Sequence, residues 1–104
     1  MNRNMAFGIN RAELAQWKEA VNRGEIAYLT HYWIDPRFPN FNTVTKVGCA
    51  DLQRLSDWCI ANDLPPQYIH HRNLFPHFDL LGPKQREILI QEKQWHQLER
   101  FGMI

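Results

Sequence analysis

The placement of the prolines constrains this 104-residue chain more than any other feature. All six fall between positions 36 and 83, in Asp35-Pro36-Arg37-Phe38-Pro39, Pro65-Pro66, Pro76 and Gly82-Pro83. Proline has no amide hydrogen for a ladder or a helix interior, and it holds the residue before it extended, so each of these sites ends an element or begins one. Everything between them has to be a brief helix, a short strand or a turn.

Ahead of the first proline, Asn10 and Glu13 have the spacing of a capping box, and Leu14, Trp17 and Val21 recur at helical intervals until Gly24. A first helix is expected over Arg11 to Arg23. Glu25 to Thr30 is short, apolar and β-prone, and Tyr32, Trp33 and Ile34 extend it, which makes it the expected central strand. Asp35 to Asn40 reads as a loop, with Phe38 and Phe41 in or beside it. Thr43 to Val47 alternates β-branched residues up to Gly48 and predicts a second strand. A second helix follows from Ala50 or Asp51 with Leu52, Leu55, Trp58 and Cys59 on one face, ending at Asn62-Asp63.

Tyr68 to His70 is expected as a third short strand or an extended segment and His77 to Leu80 as a fourth piece, and Gly82-Pro83 opens the last helical region with proline in its first turn. Ile88, Leu89, Trp95, Leu98 and Phe101 keep helical spacing there, as one long helix or two short ones. Trp17, Trp33, Trp58 and Phe78 are expected in the core. The pattern predicts a single compact α/β domain over residues 1–104, with residues 1–9 disordered or loosely packed. Its small three- to four-stranded sheet is expected to be at least partly parallel and packed with about three helices.

Composition bounds the function classes. With 12 Lys plus Arg against 11 Asp plus Glu the net charge is +1, so no global field draws the chain to nucleic acid or an anionic membrane. The apolar fraction of 44% excludes intrinsic disorder, and no apolar run approaches the roughly 18 residues of a membrane span. Met1 to Met5 is polar and lacks a secretory signal, so the expected compartment is the cytoplasm. Cys49 and Cys59 form no close pair and are expected to be reduced.

Three stretches, Trp33-Ile34-Asp35-Pro36-Arg37, Val47 to Leu55, and Pro76-His77-Phe78-Asp79-Leu80, carry a likeness to known sequences. Through them the chain resembles the YneQ-like short bacterial proteins, within a bacterial and phage family built on a domain of unknown function. The resemblance implies a fold and brings no activity, cofactor or catalytic residue with it.

Chemistry-bearing residues concentrate between His70 and Asp79. In an extended chain His77 and Asp79 project from one face while Phe78 and Leu80 enter the core. Imidazole and carboxylate suit a divalent transition metal, with His77 and Asp79 the candidate ligands, but no H-E-x-x-H or C-x-x-C spacing is present. The plainer alternative is a His77–Asp79 pair that fixes a loop. Cys49 after Gly48 stands where a helix N-terminus would favour a thiolate, or is a small residue at a tight turn. The helix starts at Gly48 to Asp51 and Leu81 to Lys84 are compatible with anion binding, with Lys46, Arg72, Lys84 and Arg86 as nearby charge, or with ordinary capping.

Two functional readings follow. In the first, the Asp35–Phe41 loop and the His70–Asp79 segment form one surface that binds nucleic acid, a nucleotide or a protein partner. Its candidate residues are Asp35, Arg37, His70, His71, Arg72, His77, Asp79 and Lys84. In the second, Asp35, His70 or His71, His77 and Asp79 hold a divalent metal for phosphoester hydrolysis. A purely structural or oligomeric role, with Trp95 and Phe101 as a homodimer contact, is the third.

Overall fold

Asn10 opens the first helix as its spacing predicts. Its side chain accepts from the Glu13 amide at 2.8 Å, and the Glu13 carboxylate accepts from the Asn10 amide at 2.9 Å, so two donors left over at the helix start are satisfied reciprocally. The computed structural model describes residues 8–71 and 75–104. Its elements are α1 (Arg11–Asn22), β1 (Ala27–Tyr32), β2 (Thr43–Gly48), α2 (Leu52–Ala61), a 3₁₀ turn at Pro66–Tyr68, β3 (His77–Leu80), α3 (Gly82–Gln91) and α4 (Trp95–Arg100). Most of the stretch expected to be loose, residues 1–7, lies outside the described residues.

The sheet corrects the expected topology. Its order is β1-β2-β3 and both pairings are antiparallel. A strand, a helix and a strand would have given a parallel pair, but the chain makes one further reversal. After α2, His70 pairs in antiparallel fashion with His77 on the outer side of β3. Tyr68 to His70 is therefore no third strand but a turn plus a single bridge, and β3 enters the sheet beside Gly48, where β2 leaves it. β2 is the central strand and β1, expected at the centre, is an edge.

Register assigns each side chain to a face. Tyr28, Thr30, Thr45, Val47, Phe78 and Leu80 share one. Val47, Phe78 and Leu80 form a core there with Leu55 and Cys59 of α2 and Ile88 of α3. A buried polar chain runs through the same layer. The Thr30 hydroxyl donates to Thr45 at 2.7 Å, Thr45 donates to Gln85 Oε1 at 2.8 Å, and Gln85 Nε2 donates to Thr43 at 3.0 Å.

The opposite face carries Ala27, Leu29, His31, Val44, Lys46, Gly48, His77 and Asp79. Trp17 and Val21 of α1 pack with Ala27 and Leu29. A Cβ on Gly48 would lie 2.5 Å from Trp17 and 2.8 Å from Val21, so glycine is what lets α1 sit so low on the sheet. Of the four residues expected in the core, Trp17 and Phe78 are buried, while Trp33 and Trp58 are half-buried.

The edge of β1 is blunted by side chains. The Gln97 carboxamide accepts from the Thr30 amide at 2.8 Å and donates to the Tyr28 carbonyl at 2.9 Å, in the manner of a neighbouring strand. The Trp17 indole donates to the Ala27 carbonyl at 3.1 Å. The last helical region is two helices, which brings the α-helix count among the described residues to four. The break is made without glycine or proline: Lys93 takes φ 57° and the Gln94 amide turns back to the Leu89 carbonyl at 2.8 Å.

Candidate metal centre

The site is built on the His70–His77 bridge. Each residue's amide donates to the other's carbonyl, at 2.8 and 3.2 Å. A pair joined this way projects both side chains to the same face, and the two imidazoles stack with centroids 5.0 Å apart and planes 24° apart. Asp79, two residues after His77, returns to that face. One ligand atom each from His70, His77 and Asp79 lies within 4.8 Å of the others.

His70 Nε2 is 3.2 Å from Asp79 Oδ2, and His77 Nε2 is 3.6 Å from Asp79 Oδ1. Ligands at about 2.0 to 2.1 Å from a tetrahedral zinc are roughly 3.3 Å from one another, so the two contacts straddle the edge of such a polyhedron. The tautomer sharpens this. His77 Nδ1 lies 3.0 Å from the Phe75 carbonyl, which can only accept, so Nδ1 carries the hydrogen and the neutral ring turns a bare Nε2 lone pair toward Oδ1. Burial pushes the His77 pKa below its usual value, favouring that neutral ring. Asp79 Oδ1 is itself buried without a hydrogen-bond donor. A metal-binding histidine characteristically donates its second nitrogen to a backbone carbonyl in this way.

The surroundings are aromatic on one side and polar on the other. Trp17 meets the His77 ring edge-on at 6.4 Å and Phe75 at 6.2 Å, with the Lys18 ammonium over Phe75. Across the sheet, Lys46 is directly opposite Asp79 on β2, and His31 lies on the same face from β1. His31 is 2% exposed, its Nδ1 is 2.8 Å from the Tyr32 carbonyl, and its Nε2 has no partner. Sequence reasoning left His31 out of the site and named Lys46 only as charge near the helix starts. Alternation along β1 and β2, combined with an antiparallel register, is the signal that places them with His77 and Asp79.

Several expected members are elsewhere. Asp35 is not among the converging ligands: its carboxylate is clamped by the Arg37 side chain, at 2.5 Å to Oδ2, and by the Arg37 amide, which together hold its pKa below the usual range. Arg37 also lies over Phe38. His71, adjacent to the bridged His70, is exposed and is absent from the cluster, and Arg72 lies outside the described residues. Lys84 pairs with Glu87 at 3.7 Å.

The Asp35–Phe41 loop stacks internally, Trp33 on Phe38 and Phe38 near Phe41, and lays Phe41 against Gly82 at the start of α3. No hydrogen bond, ion pair or ring contact joins it to the His70–Asp79 segment among the described residues. Cys49 is no reactive thiol: it is fully buried, its Sγ donates to the Gly24 carbonyl at 3.3 Å, and burial raises its pKa. The start of α2 is already capped by Asp51, which accepts from the Arg54 amide. Phe101, expected at a homodimer contact, is buried against Tyr32, while Trp95 is exposed.

The fold and the cluster define a small α/β domain whose three-stranded antiparallel sheet carries a histidine–carboxylate site on its β3 edge. The chain belongs to the YneQ-like family of bacterial proteins: it is 57% identical over 99 residues to the uncharacterized protein YneQ of Bacillus subtilis (strain 168), covering 95% of this chain and 100% of that one. No family model matches the chain, and no solved structure matches it. Among the described residues no helix is long and apolar enough to cross a membrane.

Proposed function

We propose that this protein binds one divalent first-row transition metal ion, of the zinc type, through His70 Nε2, His77 Nε2 and an Asp79 carboxylate oxygen. The observation that carries the reading is the convergence of one ligand atom each from His70, His77 and Asp79 within 4.8 Å, where His77 Nδ1 is engaged with the Phe75 carbonyl and the buried Asp79 Oδ1, 3.6 Å from His77 Nε2, has no hydrogen-bond donor. Two buried acceptors repel unless a cation or proton lies between them, and two imidazoles with one carboxylate form a donor set that imidazole-preferring ions accept. The surface-binding reading has weaker support, because the aromatic loop engages its own rings and Arg37 is paired with Asp35.

Cobalt(II) and zinc(II) titrations of the full chain test the reading. Equimolar uptake is expected, with tetrahedral cobalt absorption near the intensity of other imidazole–carboxylate sites. His77→Ala and Asp79→Asn should each weaken binding by about 100-fold or more, since each removes a direct ligand where a mere supporting partner costs about 10- to 100-fold. Uptake that is substoichiometric, or unchanged in both variants, refutes the proposal.

A further inference from the structure

We infer that the metal held by His70, His77 and Asp79 takes a phosphoryl oxyanion as its exogenous ligand, with the Lys46 ammonium as the second cation contacting it. This rests on the metal site proposed above and specifies what completes it. Three protein ligands leave at least one position open on a tetrahedral ion.

The charge at the site then calls for an anion. Asp79 is the sole carboxylate in the ligand cluster, so a divalent ion keeps an excess positive charge there, and Lys46 adds another. Lys46 is half-buried directly across the β2–β3 ladder from Asp79, and no carboxylate among the described residues is within ion-pair distance of it. On β2 it stands between Leu29 of β1 and Asp79 of β3 on this face. A lysine so situated, beside a metal and without a counter-ion, suits a dianion better than water or a neutral ligand.

His31 supplies an independent pointer. It is a nearly fully buried side chain whose Nε2 acceptor has no partner, on the face that holds the cluster. An unpaired buried acceptor is costly. Hydrogenphosphate, a dianion that keeps one hydroxyl, brings the donor that such a nitrogen accepts, and a phosphomonoester brings it only in its monoanionic form, whereas a deprotonated carboxylate brings none.

The test uses the cobalt(II)-loaded full chain, whose visible spectrum reports directly on the exogenous ligand. Inorganic phosphate and phenyl phosphate are titrated separately, with acetate as the carboxylate control. A saturable spectral change with phosphate, phenyl phosphate or both is expected, and which of them binds more tightly distinguishes a free-phosphate site from a phosphomonoester site. Acetate should bind at least about ten-fold more weakly. Lys46→Gln should lower phosphate affinity by about ten-fold while leaving cobalt affinity within about two-fold, and Lys46→Arg should retain most of it.

A cobalt-loaded protein whose spectrum does not respond to either phosphate compound overturns this inference and leaves the metal site standing. So does phosphate binding that Lys46→Gln does not weaken. Failure to load cobalt at all overturns both readings.

Discussion

Replacing Gln97 by alanine should expose the β1 edge and cost about 2 kcal/mol. The carboxamide makes two hydrogen bonds to backbone groups nearly seventy residues away, accepting from Thr30 at 2.8 Å and donating to Tyr28 at 2.9 Å. Each is worth about 1 kcal/mol net, and the groups left behind are part-buried, so water restores only some of the loss. Alanine regains a few tenths of a kcal/mol through helix propensity in α4. Against a total stability of roughly 5 to 15 kcal/mol for a domain this size, that should lower the melting temperature by about 10 °C. Urea unfolding should show a lower midpoint with an unchanged slope. Hydrogen exchange adds a local readout: the Thr30 amide should lose protection while amides paired between β1 and β2 keep theirs. Gln97→Glu, which keeps the acceptor but sets a carboxylate against the Tyr28 carbonyl, should not rescue. A loss under about 0.5 kcal/mol with Thr30 still protected would show that the carboxamide does not act as a surrogate strand.

Gly48→Ala should cost about 2 kcal/mol or more, because its methyl would sit 2.5 Å from the Trp17 ring and lift α1 from the sheet, and the loss of near-ultraviolet tryptophan dichroism would report it. Burial lowers the His31 pKa from 6.5, so the unfolded chain binds more protons than the folded one in acid. Metal-free protein should therefore keep its full stability above that value and lose it as pH falls through 6.5 toward the lowered pKa; urea midpoints at about pH 8 and about pH 5.5 check this, and His31→Gln should flatten part of the fall. Cys49 and Cys59 are fully buried, with the Cys59 thiol pushed up to about 11, so both should resist alkylation at neutral pH until the chain unfolds.

The local elements were legible because their signals are local. The Asn10–Glu13 cap, the alternation from Thr43 to Val47 and the proline after Gly82 each act within a few residues, and α1, β2 and α3 form where those signals lie. Strand direction was not legible, because it depends on the chain reversal between His70 and His77 and on a two-residue bridge that no periodicity announces. The candidate site was half legible for the same reason. His77 and Asp79 lie on one strand, so spacing alone puts them on one face, whereas bringing in His70 requires the bridge and bringing in His31 and Lys46 requires the register. Asp35 was the natural acidic partner by composition, but the arginine two residues on captures it first.

The Thr30–Thr45–Gln85–Thr43 chain has a consequence for how this sheet selects its own alignment. Sliding β1 along β2 by two residues would keep every side chain on its face, so hydrophobic burial penalises that error only weakly. It would, however, part the Thr30 and Thr45 hydroxyls: one slip sets Thr45 opposite Tyr28 and Thr30 opposite Thr43, the other sets Thr45 opposite Tyr32 and Thr30 opposite Val47. Gln85 is 3% exposed and holds Thr45 and Thr43 at fixed heights, so either slip breaks the Thr30–Thr45 link of the chain, and the slip onto Val47 buries the Thr30 hydroxyl against an apolar side chain. The polar chain thus works as a key cut for one alignment. Gln85→Leu, which keeps the volume and removes the key, should give a protein with broadened or doubled amide resonances in β1 even where its melting temperature changes little.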